Sequence, residues 1–222
     1  MKASLGRRLF AEALGTGLLL AVVIGSGIMG DRLSQGNVAI ALLANALATG
    51  LGLAVLIEVF QGVSGAHFNP LVTLSLASRK VIAWRDVLPY AGAQLFGAIA
   101  GVALAHGMFA EPLFSLSAKL RVGASQLLAE FVATFGLVLL VWAIVRQRLA
   151  CAGALVGAYI ASAYWFTSST SFANPAVTIA RCLSDTFAGI RPDDVIGFIG
   201  AQLAGALAAT LAAGWLWREE NR

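Results

Sequence analysis

Long stretches without charged residues dominate the hydrophobic pattern of the chain. They cover residues 13–30, 33–57, 59–78, 87–110, 149–180 and 195–217. A membrane-spanning helix needs about 20 consecutive apolar residues. A further apolar run, residues 131–145, reaches this length if the helix begins earlier and includes Glu130. The pattern therefore predicts an all-α membrane protein.

Two of these stretches do not fit a single membrane crossing. Residues 59–78 are interrupted by glycines, Ser64, Asn69 and Pro70, and residues 149–180 are too long and contain a Ser/Thr-rich break at 166–173. In both, Asn-Pro precedes a new apolar run, and Asn is a good N-cap while Pro suits the first helical position. A helix over residues 70–79 is about 15 Å long, half of a hydrocarbon core of about 30 Å. The pattern predicts two half-helices.

The chain repeats itself at offsets of 118, 105 and 108 residues. The matching patterns are Ala11-Glu12-x-x-x-Thr16 with Ala129-Glu130-x-x-x-Thr134, Asn69-Pro70-x-Val72-Thr73 with Asn174-Pro175-x-Val177-Thr178, and Gln94-x-x-Gly97-x-x-x-Gly101 with Gln202-x-x-Gly205-x-x-x-Ala209. Each half then holds three full spans and one half-span. Because three is odd, the second half enters the membrane from the opposite side. We expect one domain over residues 1–222, with repeats at 1–115 and 116–222.

Composition agrees with a membrane protein and excludes other classes. Hydrophobic residues make up 59% of the 222 residues and charged residues 12%, whereas a soluble domain is about 25% charged. Two cysteines exclude a disulfide scaffold. The net charge of +4 is not gathered into a basic patch on a soluble face, so no nucleic-acid partner is expected.

The positions of lysine and arginine predict the orientation. Because basic residues are enriched in cytoplasmic segments, we place both termini inside, in the plasma (inner) membrane, with the N-terminal apolar run as a retained first span. The inner segments then carry ten basic residues: Lys2, Arg7, Arg8, Arg79, Lys80, Arg85, Arg146, Arg148, Arg218 and Arg222. The outer segments carry five: Arg32, Lys119, Arg121, Arg181 and Arg191.

The paired motifs resemble those of the aquaporin or major intrinsic protein family. They are residues 65–70 (Gly-Ala-His-Phe-Asn-Pro) and 171–176 (Ser-Phe-Ala-Asn-Pro-Ala), and the match includes the paired Glu and Gln positions. The resemblance implies six transmembrane helices, two re-entrant half-helices that meet at the midplane, and a homotetramer with one pore per subunit. It implies a passive channel rather than an enzyme, without cofactor or metal. Leu71 departs from the family's Asn-Pro-Ala, and we expect it to narrow or reshape the pore centre.

The second motif differs from the family at its outer filter. The family usually has Arg directly after Asn-Pro-Ala, where this chain has Val177. Spacing places the other filter positions at Thr49, Ser162 and Ser171, all small and uncharged. The resemblance then implies a wide outer filter and a bacterial aquaglyceroporin, with an arsenic-handling branch suspected. The expected solutes are water, glycerol-like polyols and metalloid acids such as arsenous acid.

Asn69 and Asn174 are expected to cap the two half-helices with their side-chain oxygens and to leave the NH₂ groups free to donate into the pore. The alternative is two ordinary N-caps. Helix N-termini that meet at the midplane place positive dipole ends there, which oppose cations and protons but not neutral hydroxylic solutes.

Glu12 and Glu130 lie within predicted spans, where a charge costs about 2.5–3.5 kcal/mol. We expect them to accept hydrogen bonds from backbone N–H groups of the re-entrant loops; the alternative is a proton relay. Glu58 is expected at the inner vestibule. His67 either lines the inner pore or packs against the loop, and the sequence does not distinguish these two interpretations.

Two other function classes compete with the channel. One is an intramembrane serine protease with Ser64 of a Gly-x-Ser-Gly pattern and His106 as base, although Ser64 has no apparent counterpart before Asn174. The other is a proton-coupled transporter that uses Glu12, Glu130 and Glu58. The protease leaves the second Asn-Pro copy unexplained, and the transporter requires solute flux that depends on a pH gradient. We otherwise expect His106 to be structural.

Overall fold

The computed structural model describes residues 3–218, and within this range it contains eight α-helices and no strand. Lys2 and Arg222, two of the inner basic residues counted above, lie outside the described residues. The helices are α1 (Leu5–Leu33), α2 (Val38–Phe60), α3 (Pro70–Ser78), α4 (Val87–Phe109), α5 (Ala124–Gln147), α6 (Ala152–Phe166), α7 (Pro175–Arg181) and α8 (Pro192–Leu216). A single 3-10 turn, Trp84–Asp86, leads into α4.

Five of these helices are long and apolar enough to cross a membrane: α1, α2, α5, α8, and α4 together with its 3-10 turn. Helix α6 has only 15 residues, or about 22 Å. It is therefore shorter than the full span that the sequence predicts within residues 149–180. It ends at Phe166 because Thr167 takes up an extended conformation and turns its hydroxyl back to the carbonyl oxygen of Ala163. Helices α3 and α7 are the predicted half-helices, with nine and seven residues.

The helices pair as an inverted repeat requires. Helix α1 packs along α4, and its counterpart α5 packs along α8. Helices α2 and α6, which are themselves counterparts, pack against each other. The half-helices cross between the halves, since α3 contacts α8 and α7 contacts α4. The two halves therefore form one bundle whose centre lies where the half-helices meet.

Glycines allow the closest helix crossings in both halves. A Cβ atom added to Gly97 of α4 would clash with the carbonyl oxygen of Ala13 on α1. At the matching position of the second half, a Cβ on Gly205 of α8 would clash with the carbonyl oxygen of Phe131 on α5. The small residues predicted from their four-residue spacing thus lie where two backbones touch, as small residues do in membrane helix packing.

Polar side chains are buried in the centre of the bundle while many large apolar side chains are exposed on its outside. Glu12, Gln94, Glu130 and Gln202 have no exposed surface. Leucine, valine and phenylalanine side chains on all the long helices face outward. This arrangement suits a surface in contact with lipid rather than water.

Candidate functional site: a central cavity between two half-helices

Each half-helix begins with the capping arrangement that its Asn-Pro sequence predicts. The Oδ1 atom of Asn69 accepts from the N–H of Leu71 at 2.9 Å, and Oδ1 of Asn174 accepts from the N–H of Ala176 at 3.0 Å. Proline occupies the first helical position in both cases, where its missing N–H leaves no bond unmade. The two Asn side chains therefore satisfy the first free donors of their own helices.

The other end of each Asn side chain bonds to the opposite loop. Nδ2 of Asn69 donates to the carbonyl oxygen of Ala173 at 2.8 Å, and Nδ2 of Asn174 donates to the carbonyl oxygen of Phe68 at 2.7 Å. We expected the NH₂ groups to be free for the pore. Instead, each NH₂ uses one bond to tie the two loops together. The second N–H of each group has no bond to the described residues.

The loops before the half-helices share an unusual backbone. Ala66 and Phe68 have φ values of 49° and 48°, and Ser171 and Ala173 both have 49°. A left-handed conformation at a residue other than glycine costs about 1–3 kcal/mol and persists only where its surroundings hold it. The loops therefore need bonds from the surrounding helices.

Glu12 and Glu130 supply those bonds. Both carboxylates are fully buried. Glu12 accepts from the N–H groups of His67 at 3.0 Å and Phe68 at 2.7 Å. Glu130 accepts from the two matching N–H groups of the second loop at 2.8 and 2.9 Å. Every hydrogen bond that these two carboxylates accept comes from a loop N–H group, a side-chain amide or a hydroxyl. This arrangement is expected for loop bracing rather than for a chain of proton carriers.

Two glutamines complete these networks. Nε2 of Gln94 donates to Glu12 at 2.8 Å and to the hydroxyl of Thr73 at 3.1 Å. Nε2 of Gln202 donates to Glu130 at 2.6 Å and to the hydroxyl of Thr178 at 2.9 Å. The sequence showed these glutamines as a repeated pattern but gave no partner for them. The structure shows that each one joins a bracing carboxylate to a half-helix.

Ser64 belongs to the same bracing system. Its hydroxyl donates to Glu12 at 2.6 Å and accepts from the N–H of Ala66 at 3.0 Å. We expected no counterpart for Ser64 in the second loop, and this was wrong. Ser169 occupies the matching place, five residues before Asn174, and accepts from the N–H of Ser171 at 3.2 Å.

A continuous cavity of about 310 Å³ runs past the two Asn residues. Most of its wall is apolar, with Leu53, Val72, Leu137, Val156 and Ile160 among the contributing side chains. The structure brings six of the predicted site residues to this wall: Thr49, His67, Asn69, Ser171, Asn174 and Val177. The half-helices diverge from the Asn pair towards opposite faces of the bundle, so Thr49, Ser171 and Val177 lie on the side of α7.

Ser162 does not belong to this group. Its side chain is exposed on the outside of α6, and its hydroxyl donates to the carbonyl oxygen of Tyr159. Tyr164, two residues further on, turns inward and lines the cavity. Its hydroxyl lies 3.4 Å from that of Thr49. Spacing alone selected the wrong residue because a shift of two positions on a helix moves a side chain to the far face.

The cavity wall carries one charge that we did not expect. We predicted an outer filter of small uncharged residues, but Arg181 also lines the cavity and is only 1% exposed. It lies four residues after Val177, one turn further along α7. From the sequence, Arg181 is only one of the five outer basic residues that indicate the orientation. The sequence signal for its position in the wall was its spacing of one helical turn from Val177.

Leu71 and Glu58 lie away from the cavity centre. Leu71 is buried in a separate apolar cluster with Leu76, Val138 and Trp142. It does not line the cavity, so our expectation that it narrows or reshapes the pore centre was wrong. Glu58 is exposed at the end of α2, where it accepts from the N–H of Gly153 at the start of α6.

The two histidines have different surroundings. His67 lines the cavity, and its Nδ1 atom lies 3.0 Å from the hydroxyl of Thr73, so it contributes to both the wall and the loop. His106 is fully buried. Its Nδ1 contacts the carbonyl oxygens of Pro112 and Leu113 and its Nε2 lies 2.8 Å from the hydroxyl of Ser184. His106 is therefore bonded elsewhere than to Ser64, and the protease pair is not assembled.

Both cysteines are free thiols. Cys151 is exposed immediately before α6, and Cys182 directly follows α7.

Comparison with known proteins agrees with the architecture. The sequence profile of the major intrinsic protein family matches residues 1–172. The chain is 52% identical over 212 residues to the aquaglyceroporin AqpS of Rhizobium meliloti, covering 96% of this chain and 91% of that protein. It is 34% identical over 234 residues to the aquaporin AqpM of Methanothermobacter marburgensis, covering 90% and 95%.

A solved structure has the same fold. The X-ray structure of the aquaglyceroporin from Plasmodium falciparum superposes with a TM-score of 0.76 at 19% identity and covers 97% of both chains. At this level of identity the likeness concerns the fold alone.

Proposed function

The chain belongs to the major intrinsic protein family, and from this premise we propose that it is a passive channel for small neutral solutes: water, glycerol-like polyols and metalloid acids such as arsenous acid. Members of this family are multi-pass membrane channels and not enzymes. The proposal adds the solute class and the residues that select it.

The observation that carries the proposal is the pair of Asn caps beside one continuous cavity. The N-termini of α3 and α7 meet there, so their positive dipole ends oppose the passage of a cation or a proton. A neutral solute exchanges hydrogen bonds with the remaining N–H of each Asn while the apolar wall makes no competing bonds. We assign Asn69 and Asn174 to the pore midplane, and Glu12 and Glu130 to loop bracing.

The solute size follows from the outer part of the cavity. Val177 stands where the family usually has Arg, and Thr49 and Ser171 are also small. These three residues favour a passage wider than a water filter, which supports glycerol-sized solutes. The aquaglyceroporin name of a relative that is 52% identical supports the same class. Arsenous acid is included because it is a small neutral molecule that presents hydroxyl groups as glycerol does.

We place the channel in the plasma (inner) membrane as a homotetramer, with both termini in the cytoplasm. The excess of basic residues on the side of the termini supports this orientation, and the family resemblance supports the tetramer. Native mass spectrometry of the detergent-solubilised channel tests the subunit number.

Stopped-flow light scattering on proteoliposomes tests the function. Vesicles with the purified protein are challenged with osmotic gradients of an impermeant solute for water, or of glycerol or arsenous acid. We expect all three permeabilities to exceed those of protein-free vesicles and to be the same with or without a pH gradient. Solute fluxes equal to those of protein-free vesicles refute the channel, and fluxes that require the pH gradient identify a coupled transporter.

A further inference from the structure

Arg181 stands in the cavity wall beside a filter position that holds no Arg. We propose that Arg181 and the hydroxyl of Ser171 together form a recognition site for an acceptor oxygen of the permeating solute, so that Arg181 determines solute specificity in place of residue 177. The inference rests on the proposed solute channel and names the side chains that would choose among its solutes.

The guanidinium group of Arg181 is held in a fixed position. Its Nε–H donates to the carbonyl oxygen of Ala188, and its central carbon lies 3.4 Å from the ring centre of Phe172. Stacking on an aromatic face and a bond at Nε leave the terminal nitrogens of the fork for other partners. The hydroxyl of Tyr164, which also lines the cavity, lies close to this fork. Because Arg181 itself lines the cavity, its remaining N–H groups are available to water or a solute.

No described carboxylate forms a direct ion pair with this charge, although the Glu130 carboxylate attracts it from a greater distance. Within residues 3–218, none lies within 4.0 Å of the side-chain nitrogens of Arg181 or Arg121. Arg121 is also buried and lies 4.7 Å from the same ring of Phe172. Buried arginines are normally paired with an acid. A cationic group without such a partner favours solutes whose oxygens carry partial negative charge.

Ser171 provides an independent sign of an absent partner. It lines the cavity, is 3% exposed, and its Oγ atom has no hydrogen-bond partner among the described residues. A buried hydroxyl without a partner is uncommon. Arg181 donates only, while the hydroxyl both donates and accepts. The pair therefore fits a solute that presents oxygen acceptors and hydroxyl groups, such as a polyol or a neutral oxyacid.

Urea is the informative solute to compare with glycerol. It has four N–H donors and a single acceptor oxygen, whereas glycerol has three hydroxyl oxygens. Loss of the Arg181 donors should lower the ratio of glycerol to urea permeability. A purely steric effect acts in the opposite direction, since a wider passage helps the larger glycerol more than urea. The direction of the change therefore separates recognition from size.

The test measures this ratio in proteoliposomes for the wild type, Arg181→Met, Arg181→Lys and Ser171→Ala. For Arg181→Met we expect the ratio to fall roughly two- to tenfold, the effect of one or two net hydrogen bonds. Arg181→Lys should lie between Met and the wild type because it keeps a charged donor without the fork. Ser171→Ala should lower the ratio by a smaller factor.

Arg32→Met is the control. Arg32 also lies over an aromatic ring, that of Phe109 at 5.5 Å, but it is exposed at the end of α1 and does not line the cavity, so this variant should leave the ratio unchanged. An unchanged or increased ratio in Arg181→Met overturns the inference. If that variant does not fold, wild-type ratios in both Arg181→Lys and Ser171→Ala overturn it. A wild type that conducts neither solute refutes the proposed function instead.

Discussion

The side-chain nitrogen of Asn69 donates a 2.8 Å hydrogen bond to the carbonyl oxygen of Ala173. Ala173 is the last residue of the second loop. In the same way, the side-chain nitrogen of Asn174 donates to the carbonyl oxygen of Phe68, the last residue of the first loop. Each Asn thus caps its own half-helix and fixes the backbone of the other loop. Each half-helix is therefore held in part by a bond to the opposite half of the chain.

Substitution of Asn69 by Asp should weaken this junction. Asp still caps Leu71 but has no N–H for Ala173 and sets a carboxylate oxygen against that carbonyl. The loss of a buried partner costs about 1–3 kcal/mol, and the negative charge offsets the positive dipole ends. We expect lower thermal stability in detergent and faster proton entry into vesicles, measured with an internal pH dye.

The matched control for this variant is Asn37→Asp. Asn37 caps α2 at Ile40 on an exposed end of the bundle, and Asp is an equally good N-cap. The Asn37→Asp variant should therefore have the thermal stability and the proton exclusion of the wild type. Normal solute flux together with normal proton exclusion in Asn69→Asp would remove the midplane assignment.

Glu130→Gln should loosen the second loop. The amide cannot accept at both oxygens from Phe172 and Ala173, and bonds to charged acceptors are worth about 1.5–3 kcal/mol each. We expect a clear fall in melting temperature and reduced solute flux, at every pH gradient. Glu111→Gln is the control, because Glu111 forms a surface ion pair with Arg32, and such pairs contribute about 0–1 kcal/mol.

The proton-relay alternative makes the opposite prediction. A relay carboxylate could be replaced by Gln with little change in stability, and the variant would lose only flux that depends on a pH gradient. Unchanged melting temperature of Glu130→Gln would therefore count against bracing.

Val177→Arg should narrow the outer part of the cavity. The new guanidinium lies one helical turn before Arg181 on α7 and projects into the same space. We expect glycerol and arsenous acid permeability to fall strongly and water permeability to fall less, because the effect on neutral solutes is steric. Stopped-flow measurement at equal protein density compares the three. Equal losses for all three would indicate a blocked pore or misfolding, and no loss for the larger solutes would show that residue 177 does not line the passage.

Gly97→Ala should destabilise the contact between α1 and α4. Its Cβ meets the carbonyl oxygen of Ala13, and overpacking costs typically about 1–3 kcal/mol. Gly92→Ala, on the same helix with nothing within 4 Å of the added Cβ, is the control and should be neutral or stabilising because Ala favours helix by about 1 kcal/mol. Thermal unfolding in detergent compares the two; equal melting temperatures would contradict the close crossing.

Lys119, in the connection between α4 and α5, should titrate at an unusual pH. Burial, followed by the charges of Arg121 and Arg181, lowers its pKa to about 8. The unfolded chain binds this proton more tightly, so folding becomes more favourable as the pH rises from about 8 towards the ordinary pKa of lysine. An amine-reactive reagent should modify Lys119 with a half-maximal rate near pH 8.

Mass spectrometry of the labelled protein measures that rate site by site. Lys80, exposed after α3 on the opposite face, is the reference in the same spectra. A membrane-impermeant reagent added to one side of sealed vesicles should label only one of the two lysines. Labelling of Lys119 only above about pH 10 would show that its side chain is not buried beside the arginines.

The sequence by itself determined the membrane class, the two half-helices and the inverted repeat. Charge-free stretches about as long as a bilayer, the two Asn-Pro caps and the repeated Glu and Gln are local patterns, and each dictates local structure through burial or hydrogen bonding. The bonds from the loops to Glu12 and Glu130 could be predicted from the sequence, because a buried carboxylate needs hydrogen-bond donors and the loops have free N–H groups.

Only the tertiary structure decided which side chains face the cavity. Ser162 and Tyr164 are two residues apart on one helix, and no local pattern tells which of them turns inward. The bond from Asn69 to Ala173 joins residues 104 positions apart, and Arg181 enters the wall because α7 ends beside Phe172 and Ala188. These relationships depend on how the two halves interlock, since each surface that completes the cavity is supplied by the other half of the chain.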